Sequence, residues 1–182
     1  MATVSRGGEE GRKPLVELQG RRVVVTGATS GIGREITGEL ARRGASVVAV
    51  GRDEEELADL TRFGGRIEPF RTDIVSAEGQ TSLVERAGRI HALVNDAGVG
   101  WVGLSADMPV EEIERIVSVN LQAVMTLTRR LLPSLNDPFG PAPITTASTI
   151  SGPYPGGGAR PGPLCSSDRL RGARPHSHGP IV

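Results

Sequence analysis

Short apolar runs alternate with amphipathic segments along the chain from about Arg21. The runs "RVVVTG", "SVVAV", "RIEPF" and "IHALVN" predict strands, because each is a bounded and largely apolar stretch. Helical spacing follows the first run, where "GIGREITGELARRG" places Ile32, Ile36 and Leu40 on one face. A longer helix follows the fourth run, with one face formed by Ile113, Val117, Asn120, Leu121, Val124 and Leu131.

Strands separated by helices predict right-handed crossovers and a parallel sheet covered on both faces. The expected fold class is therefore α/β: a doubly wound, Rossmann-type parallel sheet with three αβα layers, truncated after about the fifth strand. Residues 21–152 form this domain, after a flexible leader over residues 1–20. The last 32 residues contain 13 glycines and prolines, so residues 153–182 are expected to be an irregular or disordered tail.

Charge and composition exclude several classes of function. Positive and negative side chains balance at 21 each, which argues against a nucleic-acid partner. The polar first fifteen residues and the short apolar runs predict no signal peptide, no membrane partner and a cytoplasmic location. Cys165 is the only cysteine, and with three histidines it does not form a zinc-ligand set. We expect no metal.

Three glycines lie where the first strand becomes a helix, at Gly27, Gly31 and Gly33. In an open parallel sheet, ligands bind beyond the carboxyl ends of the strands. Gly27 allows the sharp exit from the strand, and the other two allow close approach of a phosphate and of helix to strand. A tight turn without a ligand is the alternative for this spacing alone. An NTPase phosphate loop is excluded, because no Gly-Lys-Ser/Thr occurs and Lys13 is the only lysine.

The motifs "TGATSGIG", "RTDIVS", "LVNDAG" and "IVSVNLQAVM" follow in order, and with them residues 20–152 resemble the short-chain dehydrogenase/reductase family. The resemblance implies an oxidoreductase acting on a carbonyl and secondary alcohol pair, with Asn120 as a catalytic residue. Asp96 departs from the family's second asparagine. The implied cofactor-binding residues are Gly27, Thr29, Ser30, Gly31, Ile32, Gly33, Arg52, Asp73, Ile74, Asn95, Ala97 and Gly98. Three local alternatives are that Asp73 caps the next segment, that Ala97 and Gly98 form only a strand-end turn, and that Asn120 is a core asparagine bonded to a helix backbone.

The end of the second strand predicts which dinucleotide is bound. An NAD enzyme needs an acid there for the ribose hydroxyls, and that acid repels a 2′-phosphate. This chain has Gly51 followed by Arg52, whose guanidinium binds phosphate in a bidentate manner. NADP is therefore expected rather than NAD, with Thr29 and Ser30 as hydroxyl donors. Asp53 is expected to cap the following helix.

The family's catalytic serine, tyrosine and lysine are only partly matched. Alignment on Gly152 implies Thr149 at the serine position, with Ser148 adjacent. The Tyr-x-x-x-Lys pair is missing, since Tyr154 is the only tyrosine and Lys13 the only lysine. We therefore expect impaired catalysis on a small-molecule substrate that the sequence does not identify.

Two alternatives to an impaired enzyme remain. One is a non-catalytic NADP-binding module or partner subunit. The other is an unstable product of a reading-frame change between about Ser151 and Leu170. Its expected partners are a second copy of the chain, or a protein that associates with the exposed sheet edge at the fifth strand.

Overall fold

The computed structural model describes residues 18–135 and 144–146 of the chain. Its described strands are β1 (Arg22–Thr26), β2 (Ser46–Gly51), β3 (Arg66–Arg71), β4 (Ala92–Asn95) and β5 (Ile144–Thr146). They pair in parallel in the order β3-β2-β1-β4-β5. The strand order reverses at β1, which is the arrangement of a doubly wound sheet. The predicted fold class is confirmed.

The described helices are α1 (Gly31–Arg42), α2 (Glu54–Asp59), α3 (Ala77–Ala87), α4 (Val110–Val117) and α5 (Val124–Leu131). A π-helical turn at Ser118–Ala123 joins α4 to α5. The Oδ1 atom of Asp53 accepts the Glu56 N–H at 3.0 Å, which confirms the predicted cap of α2. Ser76 caps α3 in the same way, with its Oγ atom 2.9 Å from the Gly79 nitrogen.

The sheet is covered by a separate apolar cluster on each face. Alternate residues of β1 point to opposite faces, so Val24 belongs to one cluster while Val23 and Val25 belong to the other. The first cluster also contains Leu83, Leu93, Leu127 and Leu131, and the second contains Ala41, Val47, Leu57 and Leu60. Burial on both faces explains why β1, β2 and β4 are apolar runs without polar alternation, whereas the edge strand β3 contains charged residues and has no buried residue.

The buried face of α1 consists of small residues, namely Gly33, Thr37, Gly38 and Ala41. The predicted apolar face is therefore wrong for Ile32, which is 65% exposed. Ile36 and Leu40 pack against the cluster only in part. The physical reason is close packing: a Cβ at Gly38 would lie 2.9 Å from the Phe63 ring, so the helix approaches its neighbours through residues without bulk.

The predicted face of the long helix is also wrong in part. Asn120 and Leu131 are buried, but Ile113, Val117 and Leu121 are about half exposed. The buried residues are instead Ile116, Ala123 and Leu127 together with Asn120 and Leu131. Of these, Ala123, Leu127 and Leu131 belong to the first apolar cluster on the sheet. The helix carries two apolar stripes, so periodicity alone does not determine which stripe packs on the sheet.

Two further observations concern the described residues alone. None of their helices has the length and apolar character needed to cross a membrane. They also contain no group of three or more His, Cys, Asp or Glu side chains arranged to hold a metal ion. Leu18, the first described residue, packs against the second cluster, and Gly20 donates its N–H to the Gly44 carbonyl. Most of the predicted leader and all of the predicted tail lie outside the described residues.

Candidate functional site

An open cleft lies at the carboxyl ends of β1, β2 and β4, where the strand order reverses. It has a volume of about 160 Å³, which is small beside the roughly 300–1,000 Å³ of pockets that enclose a drug-sized ligand. An extended ligand would therefore lie along this cleft and remain partly open to solvent. The cleft is lined by Gly27, Thr29, Ser30, Val50, Gly51, Arg52, Thr72, Asp73, Ile74, Val75, Asp96, Ala97, Gly98, Val99 and Val119.

The cleft brings together eight of the twelve predicted cofactor-binding residues, from the four loops that follow β1, β2, β3 and β4. These are Gly27, Thr29, Ser30, Arg52, Asp73, Ile74, Ala97 and Gly98. Gly31, Ile32, Gly33 and Asn95 are not among the lining residues. The lining residues that the prediction did not include are Val50, Gly51, Thr72, Val75, Asp96, Val99 and Val119. All seven are within two residues of a predicted site residue along the chain, Val119 being next to Asn120, so adjacency was the signal that would have found them.

Gly27 marks the point where the loop after β1 touches the loop after β4. Its φ is +69°, and a Cβ there would lie 2.6 Å from the Ala97 nitrogen. The next residue fixes the loop to the neighbouring strand, because Ala28 donates its N–H to the Val50 carbonyl at 3.0 Å. A residue other than glycine at position 27 would therefore require both an unfavourable backbone conformation and a shift of the β4 loop.

The start of α1 lies against this loop. A Cβ at Gly33 would overlap the Gly27 carbonyl oxygen and lie 2.6 Å from Oδ2 of Asp96, so the predicted close approach of helix and strand is present. At Gly31, by contrast, no heavy atom is within 4 Å of an added Cβ. The N-cap Ser30 forms no side-chain hydrogen bond to the helix, unlike Asp53 of α2 and Ser76 of α3. The first turn of α1 thus faces open space with a hydroxyl at its entry.

Asp96 is positioned at this helix start. Its carboxylate accepts a hydrogen bond from the Gly33 N–H, so it satisfies an amide that Ser30 leaves unpaired. Burial raises the pKa of Asp96, and the bond from Gly33 opposes that rise. The departure from the family's asparagine thus changes the hydrogen bonding at the α1 terminus and adds a titratable carboxyl to the cleft.

Side-chain hydrogen bonds hold the end of β4. The Oγ1 atom of Thr26 accepts the N–H groups of Asp96 and Ala97, both at 3.2 Å. Asn95 turns away from the cleft, and its Nδ2 donates to Oγ1 of Thr128 on α5 at 3.2 Å. Asn95 thus fixes β4 to the helix layer, while Thr26 fixes the loop that lines the cleft. Thr26 was missed, although it is the first residue of the motif "TGATSGIG".

Asn120 lies in the π-helical turn and is 9% exposed. Its Oδ1 accepts the Val99 N–H at 2.9 Å, and its Nδ2 donates to the Val99 carbonyl at 2.8 Å. Its partner is therefore the loop after β4, not the helix backbone that the core-asparagine alternative supposed. π-Helical turns are frequent at functional sites. The catalytic role of Asn120 stays a prediction, and Ser148 and Thr149 lie outside the described residues.

The opposite end of the cleft is formed by the ends of β2 and β3. A Cβ at Gly51 would lie 2.5 Å from Cγ2 of Thr29, so a larger side chain at the position of the NAD-binding acid would require Thr29 to shift. Arg52 is exposed and lines the cleft. Asp73 also lines it, and its Oδ1 accepts the Val75 N–H at 2.9 Å. The capping alternative is wrong for Asp73, because Ser76 caps α3; Asp73 instead forms a local turn bond while it faces the cleft.

Comparison with known proteins agrees with this geometry. The family described as short chain dehydrogenase matches residues 21–159. An uncharacterized oxidoreductase of Staphylococcus saprophyticus is 36% identical over 148 residues, which cover 76% of this chain and 62% of that protein.

Two solved structures are similar in fold and sequence. The NADP active-site complex of Pseudomonas aeruginosa RhlG has a TM-score of 0.65 and 30% identity, covering 71% of this chain and 55% of RhlG. The NADH complex of Brucella melitensis 3-ketoacyl-(acyl-carrier-protein) reductase has a TM-score of 0.61 and 33% identity, covering 64% and 51%. The chain therefore spans about half the length of these two structures, which contain different nicotinamide cofactors.

Proposed function

The chain belongs to the short-chain dehydrogenase family, and on that premise we propose that its cleft binds a nicotinamide dinucleotide with a preference for NADP over NAD. One observation carries the preference: β2 ends at a glycine packed against Thr29 and is followed by the exposed Arg52. A carboxylate at position 51 would repel a 2′-phosphate, and a guanidinium at position 52 attracts it.

The residues of the cleft fit such a ligand from one end to the other. Open space at Gly31 and the first turn of α1 would receive the pyrophosphate, since the amides of a helix start attract anions. Asp73 and Ile74 would lie beside the adenine, and Arg52 beside the 2′-phosphate. When bound, the nicotinamide ring supplies or accepts the hydride of a carbonyl and secondary alcohol pair. Asn120 acts here through Val99, whose backbone it holds at the cleft wall.

The cofactor preference is tested by titrating the purified chain with NADPH and with NADH. We expect tighter binding of NADPH, and Arg52→Asp should abolish or reverse the preference because it replaces attraction with repulsion. Arg62→Asp is the matched control, since Arg62 is exposed and is not part of the cleft lining. Equal affinities for the two cofactors in the unchanged chain would refute the preference.

We further propose that this chain alone has activity near background. General acid–base catalysis typically contributes about 10²–10⁴-fold, and this chain has no Tyr-x-x-x-Lys pair to provide it. The measurement is NADPH oxidation with a panel of ketones and aldehydes. Robust turnover that is abolished by Gly31→Asp but unchanged in Tyr154→Phe would show that another acid replaces the tyrosine.

A second candidate function is cofactor binding without catalysis, in which the chain acts as a sensor or partner subunit. It is favoured by the combination of a complete glycine loop with the missing catalytic pair. NADPH should then raise the melting temperature of the chain while turnover remains at background. A chain without a cooperative melt, with or without NADPH, would instead support the unstable-product alternative.

A further inference from the structure

Arg71 is the last residue of β3 and lies beside the end of β2. The register pairs Gly51 with Arg71, and Thr72 donates its N–H to the Gly51 carbonyl at 2.9 Å. Arg71 therefore lies next to Gly51 and Arg52, the corner at which the chain leaves β2. Arg52 and Arg71 are nineteen positions apart along the chain.

A hydrogen bond orients the Arg71 side chain toward this corner. Its Nε donates to the Arg52 carbonyl at 3.1 Å. The two terminal nitrogens of the guanidinium take no part in this bond, so they can donate to another group. Holding Nε in place reduces the conformational freedom that the side chain would lose on binding an anion. The same bond keeps Arg71 beside the backbone from which the Arg52 side chain projects.

The second cleft at this corner adjoins the cofactor cleft. It is lined by Arg52, Glu54, Arg71, Thr72 and Asp73, and it shares Arg52, Thr72 and Asp73 with the cofactor cleft. A phosphate on the adenosine ribose of a dinucleotide in the cofactor cleft would thus face the second cleft. Two guanidiniums, one in the loop after β2 and one at the end of β3, provide more donors to a phosphate than either provides alone.

The ion pair that Arg71 already makes is weak. Its Nη1 lies 3.9 Å from Oε2 of Glu54, and the two side chains are 67% and 82% exposed. An exposed pair at the limit of contact contributes little, so a phosphate dianion can replace Glu54 at small cost. Glu54 nevertheless places a competing negative charge near the same guanidinium.

We propose that Arg71 is a specificity-determining residue that, together with Arg52, binds the 2′-phosphate of NADP in the second cleft. The inference rests on the proposed function, because it needs the dinucleotide to lie with its adenosine end at β2 and β3. It predicts that Arg71 contributes to the affinity for NADPH but not to the affinity for NADH, because it contacts only the 2′-phosphate and none of the groups that the two cofactors share.

The test uses the full chain and compares Arg71→Gln, Arg52→Gln and the control Arg62→Gln. We expect Arg71→Gln to weaken NADPH binding by about fivefold to twentyfold while NADH binding changes less than about twofold. Adenosine 2′,5′-bisphosphate, used as a competitor, should lose affinity in parallel, and AMP should not. Arg62→Gln should change none of these affinities.

Glu54→Gln provides an independent variant that does not remove Arg71. Removal of the competing carboxylate should strengthen NADPH binding by about twofold and leave NADH binding unchanged. A thermal melt measured on each variant identifies any loss of folding. If Arg71→Gln does not fold, the NADPH and NADH affinities of Glu54→Gln decide whether the inference holds.

Two results would overturn the inference while leaving the proposed function intact. One is that Arg71→Gln behaves like Arg62→Gln although Arg52→Gln loses the NADPH preference. The other is an equal loss of NADPH and NADH affinity in Arg71→Gln, which would show that Arg71 only holds the corner in shape. Failure of the proposed function is seen separately, as an unchanged chain that does not prefer NADPH.

Discussion

The loops after β1 and β4 meet at the same edge of the sheet, but they are held by different means. The first is positioned by backbone contact, since Gly27 lies against the Ala97 backbone and Ala28 bonds to Val50. The second is positioned by side chains, because Thr26 binds two of its amides and Asn120 binds both polar groups of Val99.

This difference is informative about function. Side chains engage the amides of the β4 loop, whereas in the first turn of α1 Ser30 forms no side-chain cap, Asp96 accepts one amide, that of Gly33, and Gly31 faces open space. A loop that is held by glycine packing keeps amides available for an anion, while a loop held by side-chain bonds provides a rigid wall. We therefore expect the two loops to respond differently to substitution.

The largest effect is expected at Gly27. Gly27→Ala imposes a positive φ on a residue with a Cβ and moves the Ala97 backbone, so we expect a loss of about 2–5 kcal/mol in the free energy of unfolding. Urea denaturation measures this loss. Gly88→Ala is the matched control, because Gly88 has φ +57° but no atom within 4 Å of an added Cβ. Losses of equal size in both variants would show that the loop contact contributes nothing.

The next effect concerns the bond between Asn120 and Val99. Asn120→Ala leaves the Val99 N–H and carbonyl without their partner in a partly buried site, which we expect to cost about 2–3 kcal/mol. Gln122→Ala, at an exposed position of the same π-helical turn, should change stability by less than about 0.5 kcal/mol. Similar denaturation midpoints for the two variants would refute the role of Asn120 in holding the loop.

A smaller effect is expected at Thr26. Thr26→Val keeps the side-chain shape but removes the acceptor for the Asp96 and Ala97 amides, with an expected cost of about 1–2 kcal/mol. Thr26→Ser keeps the acceptor and loses only a methyl group, so the serine variant should retain the protection of these two amides. Hydrogen exchange at Asp96 and Ala97 measures this, and equal exchange in both variants would contradict the assignment.

The smallest effect is the pH dependence contributed by Asp96. Burial raises the pKa of Asp96 above the ordinary value of 3.8. Between these two pKa values the folded chain keeps a proton on Asp96 that the unfolded chain has released. As pH rises from about 3.8 through the raised pKa, this carboxyl therefore lowers stability. Relative to Asp96→Asn, the unchanged chain should become progressively less stable over that window. A constant stability difference between the two chains, measured by urea denaturation from pH 3 to pH 7, would show that the carboxyl titrates as in the unfolded chain.

Local sequence determined the elements of this fold and the position of its cleft. Strands β1, β2 and β4 were predictable because burial on both faces demands apolar runs, and the cleft followed because the carboxyl ends of parallel strands share one edge. The cap at Asp53 was predictable because it depends only on residues three positions apart. Gly27 was predictable because a sharp exit from β1 requires a residue without a Cβ.

Only the tertiary structure decided which of two apolar stripes on α4 and α5 faces the sheet, because both have helical periodicity. It also decided that Asn120 binds Val99, that Asp96 binds Gly33 and that Arg71 lies beside Arg52. The register of β1 with β4 and of β2 with β3 brings the last two pairs together. Asn120 instead meets Val99 where the π-helical turn lies against the loop after β4. Sequence spacing contains no information about such register until the strand order is known.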